Sequence, residues 1–215
     1  MGSSLACLNM IKQQLRTNNI LDDNILAIFS ENTRHQYIPE PYQDFTFTDM
    51  HIPLDHHQIM LTPLEEAKIL QTGKFNTNDV ILEIGTGSGF SSYLLSKVCQ
   101  KVVSIDIYAD FIEHAKKVHQ ELKVSNVEFF QQDICDLREF PYLFDAIICT
   151  SGVEFIPSQW FRLLKPQGKI FAPIGEIVQQ AQWLHVNEQK VIGHELVFQT
   201  KTPMLINNQP AKFIF

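Results

Sequence analysis

Glu83, Gly85, Gly87, Gly89 and Asp106 are the residues whose types and spacing point most directly to chemistry. Glycine tolerates positive φ and lets another group approach the backbone closely, so G-x-G-x-G at the end of an apolar run is a place to seat a ligand. A dinucleotide-binding turn instead carries G-x-G-x-x-G and rests a pyrophosphate on the following helix. Here the third position of that pattern is Phe90. Glu83 stands two residues before the first glycine, where its carboxylate would repel a diphosphate. The combination suits a ligand with a cationic end, such as an amino acid ammonium. Asp106 ends the next β-branched run, K-V-V-S-I-D. A carboxylate there accepts hydrogen bonds from ribose hydroxyls.

These residues need elements to hold them. Val80, Ile81, Leu82 and Ile84 form an apolar run too short for a helix and suited to a strand buried on both faces. Phe90 to Val98 has helical spacing, with Tyr93, Leu94 and Val98 on one side. Strand, glycine turn, helix and strand in that order predict a βαβ unit with its ligand at the carboxyl end of a parallel strand. Tyr108 to Leu122 reads as an amphipathic helix on Phe111, Ile112, Ala115, Val118 and Leu122, with His114, Lys116 and Lys117 on its solvated side. Asn126 to Asp133 predicts a third strand, Phe144 to Thr150 a fourth, and Lys169 to Pro173 a fifth after a short helix over Gln159 to Leu164. Gln182 to Val186 and Glu195 to Gln199 alternate as two more strands.

Ahead of this core, Met10 to Asn18 and Asp22 to Ser30 predict two short helices, the second with Leu21, Ile25, Ile28 and Phe29 on its apolar face and Asp22 as its cap. Pro39, Pro41 and Pro53 exclude a continuous helix from Thr33 to Thr62, which reads as a cover over the ligand site. Pro63 opens another helix, with Glu65 and Glu66 near its positive end as capping acids. The expected fold is α/β: a doubly wound, mainly parallel Rossmann-like sheet at 63–215, with an N-terminal helical extension and cover at 1–62 in the same single domain.

Composition narrows the classes. A chain of 215 residues with 45% hydrophobic and 19% charged residues reads as one globular domain. A net charge of −7 argues against a nucleic-acid partner, which calls for a basic excess. No apolar run approaches a membrane span of roughly 20 residues. The N-terminus shows neither a basic segment nor a long apolar core, and Met10 is a candidate native start. Cys7, Cys99, Cys135 and Cys149 form no C-x-x-C pair, which fits free thiols in a reducing cytoplasm. Cys149 reads as a small buried hydrophobe. Asp55, His56 and His57 lack a supporting ligand set, and His114 and His119 lie five apart, off a single helical face, so no metal is expected.

The stretch L-E-I-G-T-G-S-G-F, Leu82 to Phe90, resembles the first motif of S-adenosylmethionine (SAM)-dependent methyltransferases. More narrowly, the chain is similar to the protein-L-isoaspartate O-methyltransferase family. The similar stretches are M-I-K-Q-Q-L from Met10, R-H-Q-Y-I-P from Arg34, H-I-P-L from His51, the glycine loop, F-D-A-I-I from Phe144, and L-L-K-P-Q-G-K-I-F-A-P-I-G from Leu163 to Gly175. The resemblance implies SAM as cofactor, held by Glu83, Gly85, Thr86, Gly87, Ser88, Asp106 and Ile107, with Asp133 at the adenine amino group and Ile134 near the ring. It implies a polypeptide or small carboxylate substrate: the free α-carboxylate of an isoaspartyl residue, whose methyl ester collapses to a succinimide.

One stretch departs from the family's pattern. Its loop reads like G-H-G-Q-T-I-S-x-P, with a serine that contacts the reacting carboxylate. Here Asp55 to Pro63 reads D-H-H-Q-I-M-L-T-P. Asp55 and His57 replace glycines, Ile59 replaces the threonine, and Leu61 stands at the serine. Thr62, one residue on, is the alternative hydroxyl. Weak isoaspartyl turnover is therefore expected. Three readings stay open: isoaspartyl methylation, methylation of a different acceptor, and SAM binding without turnover.

Overall fold

The computed structural model describes residues 5–134 and 140–206. A seven-stranded sheet is built around β3 (Val80–Ile84). On one side lie β4 (Lys101–Asp106) and then β5 (Val127–Gln131). On the other lie β6 (Phe144–Cys149), β7 (Leu164–Ile174), β8 (Gln179–Asn187) and β9 (Lys190–Thr200). Pairings from β5 through β7 are parallel, and β8 and β9 add as antiparallel strands. The chain leaves β3 in one direction and returns to β6 on its other side. A doubly wound sheet opens a crevice at such a switch, beyond the carboxyl ends of its strands.

Both faces of the central strands are buried, and the period-two pleat decides which side chain goes where. Ile81, Val102, Ala146, Ile148, Phe171 and Trp183 belong to one core. Leu82, Ile84, Val103, Ile105, Ile147 and Cys149 belong to the other. The first core is covered by the N-terminal segment together with α3 (Pro63–Gly73) and α4 (Phe90–Ser96). Preceding these are α1 (Leu5–Asn9), a helical stretch over Met10–Leu15, and α2 (Asp23–Ser30) capped by Asp22, whose carboxylate accepts from Asn24 N and Ile25 N. Leu21 does not join the apolar face expected of it: it lies before the cap and is exposed. The stretch 33–62 contains 3-10 turns and a small hairpin of β1 (Ile52–Pro53) and β2 (Ile59–Met60).

α5 (Ala109–Glu121) matches its expected amphipathic pattern. The helix after β6 is shorter than expected: α6 spans Ser158–Phe161. Leu164 is already in β7, paired with Phe144, and an irregularity between Phe144 and Ala146 absorbs the Lys165–Gly168 stretch that sequence marked as a break. The last two strands run longer than their alternation suggested. Cys135 lies outside the described residues; Cys7, Cys99 and Cys149 are buried.

Candidate active site

The glycine loop follows directly from β3. Gly85, Gly87 and Gly89 all have positive φ. Two of them also lack room for a side chain. A Cβ on Gly85 would lie 2.9 Å from Thr150 Oγ1, and one on Gly89 would lie 2.7 Å from Ala115 Cβ. The loop thus presses against β6 at one end and α5 at the other. Gly87 N donates to Asp106 Oδ2 at 3.0 Å, and Tyr108 N donates to Asp106 Oδ1 at 3.0 Å. Asp106 is therefore held by two backbone donors and is largely buried. Burial raises its pKa above the ordinary aspartate value, against those hydrogen bonds. Its remaining lone pairs are available to accept from a ligand.

A cleft opens here, beyond the carboxyl ends of β3 and β4. The chain from β3 to Ile134 lines it with Gly85, Gly87, Asp106, Ile107, Tyr108 and Ile134. Gln58, Ile59, Thr150, Ser151 and the tail residues Pro203, Leu205 and Ile206 complete the lining. The tail reaches the cleft because it pairs with the turn after β6. Gly152 and Met204 form a parallel bridge, Gly152 N donates to Pro203 O at 2.8 Å, and Leu205 N donates to Gly152 O at 2.7 Å. The hairpin loop reaches it through His56. That ring stacks on Tyr108 at 3.8 Å and bonds Asp110 Oδ2 through Nε2 at 2.9 Å. His56 and His57 both adopt φ of +57°. His57 thereby takes the left-handed backbone expected of the glycine it replaces, a region histidine visits more than most residues.

Of the residues singled out from sequence, the cleft gathers Gly85, Gly87, Asp106, Ile107 and Ile134. Glu83 is turned away from it. On the pleat it shares a face with Ile81 rather than Ile84, and it is fully buried beneath the loop. Ser92 and Ser104 hydroxyls donate to its Oε2, the latter at 2.5 Å. Ser104 also meets Thr86 Oγ1 at 2.6 Å. Burial pushes the Glu83 carboxyl up to about 7, opposed by the two serines. Thr86 and Ser88 are likewise buried and brace the turn; Phe90 N donates to Ser88 Oγ at 3.3 Å. Asp133 is half-buried, between Gln132 and Ile134, which do line the cleft.

Leu61 and Thr62 do not line the cleft either. Leu61 is buried in the first core, and its carbonyl accepts from Arg34 Nη2 at 2.8 Å. Thr62 caps α3: Glu65 N donates to its Oγ1 at 3.2 Å, and Thr62 N donates back to Glu65 Oε2 at 3.0 Å. Glu65 is the capping acid expected, but Glu66 is not. It forms a buried ion pair with Arg34, which also donates to Thr46 O at 3.2 Å. Burial pushes Glu66 up to about 7 against the opposing pull of Arg34. Thr150 and Ser151, not singled out from sequence, are the side-chain hydroxyls that β6 delivers to the cleft. Their signal was faint: two small polar residues just past a buried strand.

A family model described as Protein-L-isoaspartate(D-aspartate) O-methyltransferase (PCMT) matches residues 7–203. Among relatives, a protein-L-isoaspartate O-methyltransferase of Aliivibrio fischeri is 32% identical over 80% of this chain and 82% of its own length. One of Opitutus terrae is 30% identical over 78% of this chain and 72% of its own. Among solved structures, a Plasmodium falciparum protein assigned as a protein-L-isoaspartate O-methyltransferase, in complex with S-adenosyl-L-homocysteine, superposes with a TM-score of 0.78. It is 18% identical, with 97% of this chain and all of that one covered. At that identity the likeness speaks to the fold, and the fold agrees.

Proposed function

The chain belongs to the protein-L-isoaspartate(D-aspartate) O-methyltransferase family, and from that premise we infer that it is a SAM-dependent methyltransferase acting on the free carboxylate of isoaspartyl residues in polypeptides. The observation that carries the reading is that one cleft brings together glycine-loop backbone, a backbone-held Asp106, a hydroxyl and apolar walls. Asp106 holds the ribose hydroxyls of the cofactor. Gly85 and Gly87 let its amino acid end lie against the backbone. Ile107 and Ile134 flank the adenine, with Asp133 beside it. Glu83, Thr86 and Ser88 support the loop from beneath, consistent with their burial.

When bound, SAM supplies an electrophilic methyl group on a sulfonium. The chain's task is then placement. A carboxylate acceptor is ionised near neutral pH, so no side chain has to remove a proton. Rate depends on holding the acceptor in line and keeping water out. Ile59, Pro203, Leu205 and Ile206 provide apolar walls, and the Ser151 hydroxyl donates a hydrogen bond to the acceptor carboxylate. Leu61 and Thr62 act from outside the cleft, as core anchor and helix cap. The leucine at the family's serine position therefore need not face the substrate, and Ser151 takes that part.

Labelled methyl transfer from SAM tests this. The expected result is base-labile label on an isoaspartyl peptide and none on the matching aspartyl peptide. A second reading, a different carboxylate acceptor, draws on Ile59, which puts an apolar side chain in the cleft where the family has threonine. Label on small carboxylates alone would favour it. Buried free thiols at Cys99 and Cys149 are consistent with a reducing compartment, and we assign the cytoplasm. No helix among the described residues is long and apolar enough to cross a membrane.

A further inference from the structure

The turn between β1 and β2, Leu54 to Gln58, reaches from the glycine loop to the start of α5. At one side a Cβ on Gly87 would meet Leu54 Cδ1 at 3.4 Å, so the Leu54 side chain rests against the loop. At the other side His56 meets α5. Its ring lies within 3° of parallel to that of Tyr108 and edge-on to Phe111 at 5.4 Å. Its Nε2 stands 2.9 and 3.1 Å from the two carboxylate oxygens of Asp110. Gln58, Ile59, Gly87, Tyr108 and Phe111 all line the cleft.

The turn is built to move as one piece. Leu54 N donates to Gln58 O at 2.9 Å, and Gln58 N donates to Asp55 O at 3.1 Å. Its base is narrow, because β1 and β2 have two residues each, Ile52 paired with Met60 and Pro53 with Ile59. Leu54 and His56 therefore fasten its tip to the cleft wall. His56 holds a left-handed backbone, which persists in a residue other than glycine when its surroundings impose it. Tyr108 carries the contact inward, since its N–H donates to Asp106. The ring under His56 and the carboxylate assigned to the ribose thus share one short corner of chain.

We propose that His56 is a positioning residue that straps the 54–58 turn across the cleft, and that unfastening this strap limits how fast S-adenosyl-L-homocysteine leaves and the next SAM enters. The inference rests on the cofactor reading above and adds what governs exchange. The strap's contacts run between parts of the chain, so they hold it shut in the free and the loaded protein alike. Weakening them raises the open fraction of both states by the same factor. Entry and exit then quicken together while affinity stays where it was. A side chain that touched the cofactor would behave otherwise and quicken exit alone.

His56→Asn removes the ring and keeps a residue at ease in left-handed backbone. Stopped-flow binding of S-adenosyl-L-homocysteine should show association and dissociation each faster by roughly tenfold, the scale of losing one stacked ring and one exposed charged hydrogen bond. Kd should stay within about twofold of wild type, because the two rates change together. Asp110→Asn keeps the stack and should raise both rates less, by about threefold. The double variant should match His56→Asn, since both substitutions act through one contact. Unaltered rates in His56→Asn would overturn the proposal. So would faster exit with unaltered entry, because it would make His56 a ligand contact. Should His56→Asn not fold, the Asp110→Asn rates decide by the same criteria. If the wild type binds no S-adenosyl-L-homocysteine, the cofactor reading fails and the strap's role with it, an outcome distinct from binding with unaltered rates.

Discussion

Replacing Asp106 with asparagine would separate the loop-bracing contact seen for its carboxylate from the ribose contact proposed for it. The side chain keeps its shape, but one oxygen becomes an NH2 group. That group must face either the Gly87 or the Tyr108 N–H, each now 3.0 Å from a carboxylate oxygen. A buried N–H without an acceptor costs about 1–3 kcal/mol, so urea unfolding of the ligand-free variant should show a loss of that size. The cofactor loses more specifically. A hydrogen bond to a charged acceptor is worth about 1.5–3 kcal/mol, so S-adenosyl-L-homocysteine should bind roughly tenfold to hundredfold more weakly by calorimetry. Burial holds the Asp106 carboxyl above its usual pKa, so acidification should weaken binding in the wild type and hardly alter the asparagine variant. An affinity within about twofold of wild type, below the tenfold floor set by those energies, would refute the ribose assignment. If stability fell all the same, Asp106 would be a brace for the loop and nothing more.

Other outcomes follow from the same geometry. Ser151→Ala should lower methyl transfer about tenfold, the loss expected for one charged hydrogen bond, with calorimetric affinity for S-adenosyl-L-homocysteine unchanged. Leu61→Ser should gain no activity, and a gain would return position 61 to the acceptor site. Gly89→Ala should destabilise by about 2–5 kcal/mol, combining a left-handed backbone with a Cβ 2.7 Å from Ala115 Cβ. Adding Ala115→Gly should recover the contact part alone, and strict additivity in chemical unfolding would deny the contact. Glu83 keeps its proton in the fold up to about 7, whereas the unfolded chain releases it near 4.5. Its contribution is therefore fully present below 4.5 and lost as pH rises to about 7, by up to about 3 kcal/mol. Glu83→Gln should narrow the gap in Tm between pH 5 and pH 8, and an unaltered gap would place the titration elsewhere.

The order of strands and helices was legible because each carries its own local period. Val80 to Ile84 and Lys101 to Asp106 declare themselves by length and branching, and Tyr108 to Leu122 by its apolar face. Gly85, Gly87 and Asp106 were legible because their spacing from a strand end is itself a geometry. The side a residue faces was harder to read. Glu83 lies within the motif, yet the pleat sends it toward Ser92 and Ser104. Glu66 looks like a helix-start acid, and Arg34, 32 positions away, claims it instead. Leu61 stands at the serine of the loop it resembles, yet its side chain is buried in the first core. The tail was beyond reach for another reason. Pro203, Leu205 and Ile206 carry no pattern of their own and enter the cleft through pairing with Gly152.

That pairing also sets a schedule. A chain emerges from the ribosome amino end first, and a domain then folds as a unit. Every residue assigned to the cofactor lies between Glu83 and Ile134, whereas one wall of the same cleft waits for Pro203 to Ile206. Each newly made molecule therefore carries its glycine loop and Asp106 before the residues that line that wall have been synthesised. The cleft is complete only once the stretch that pairs with Gly152 has followed.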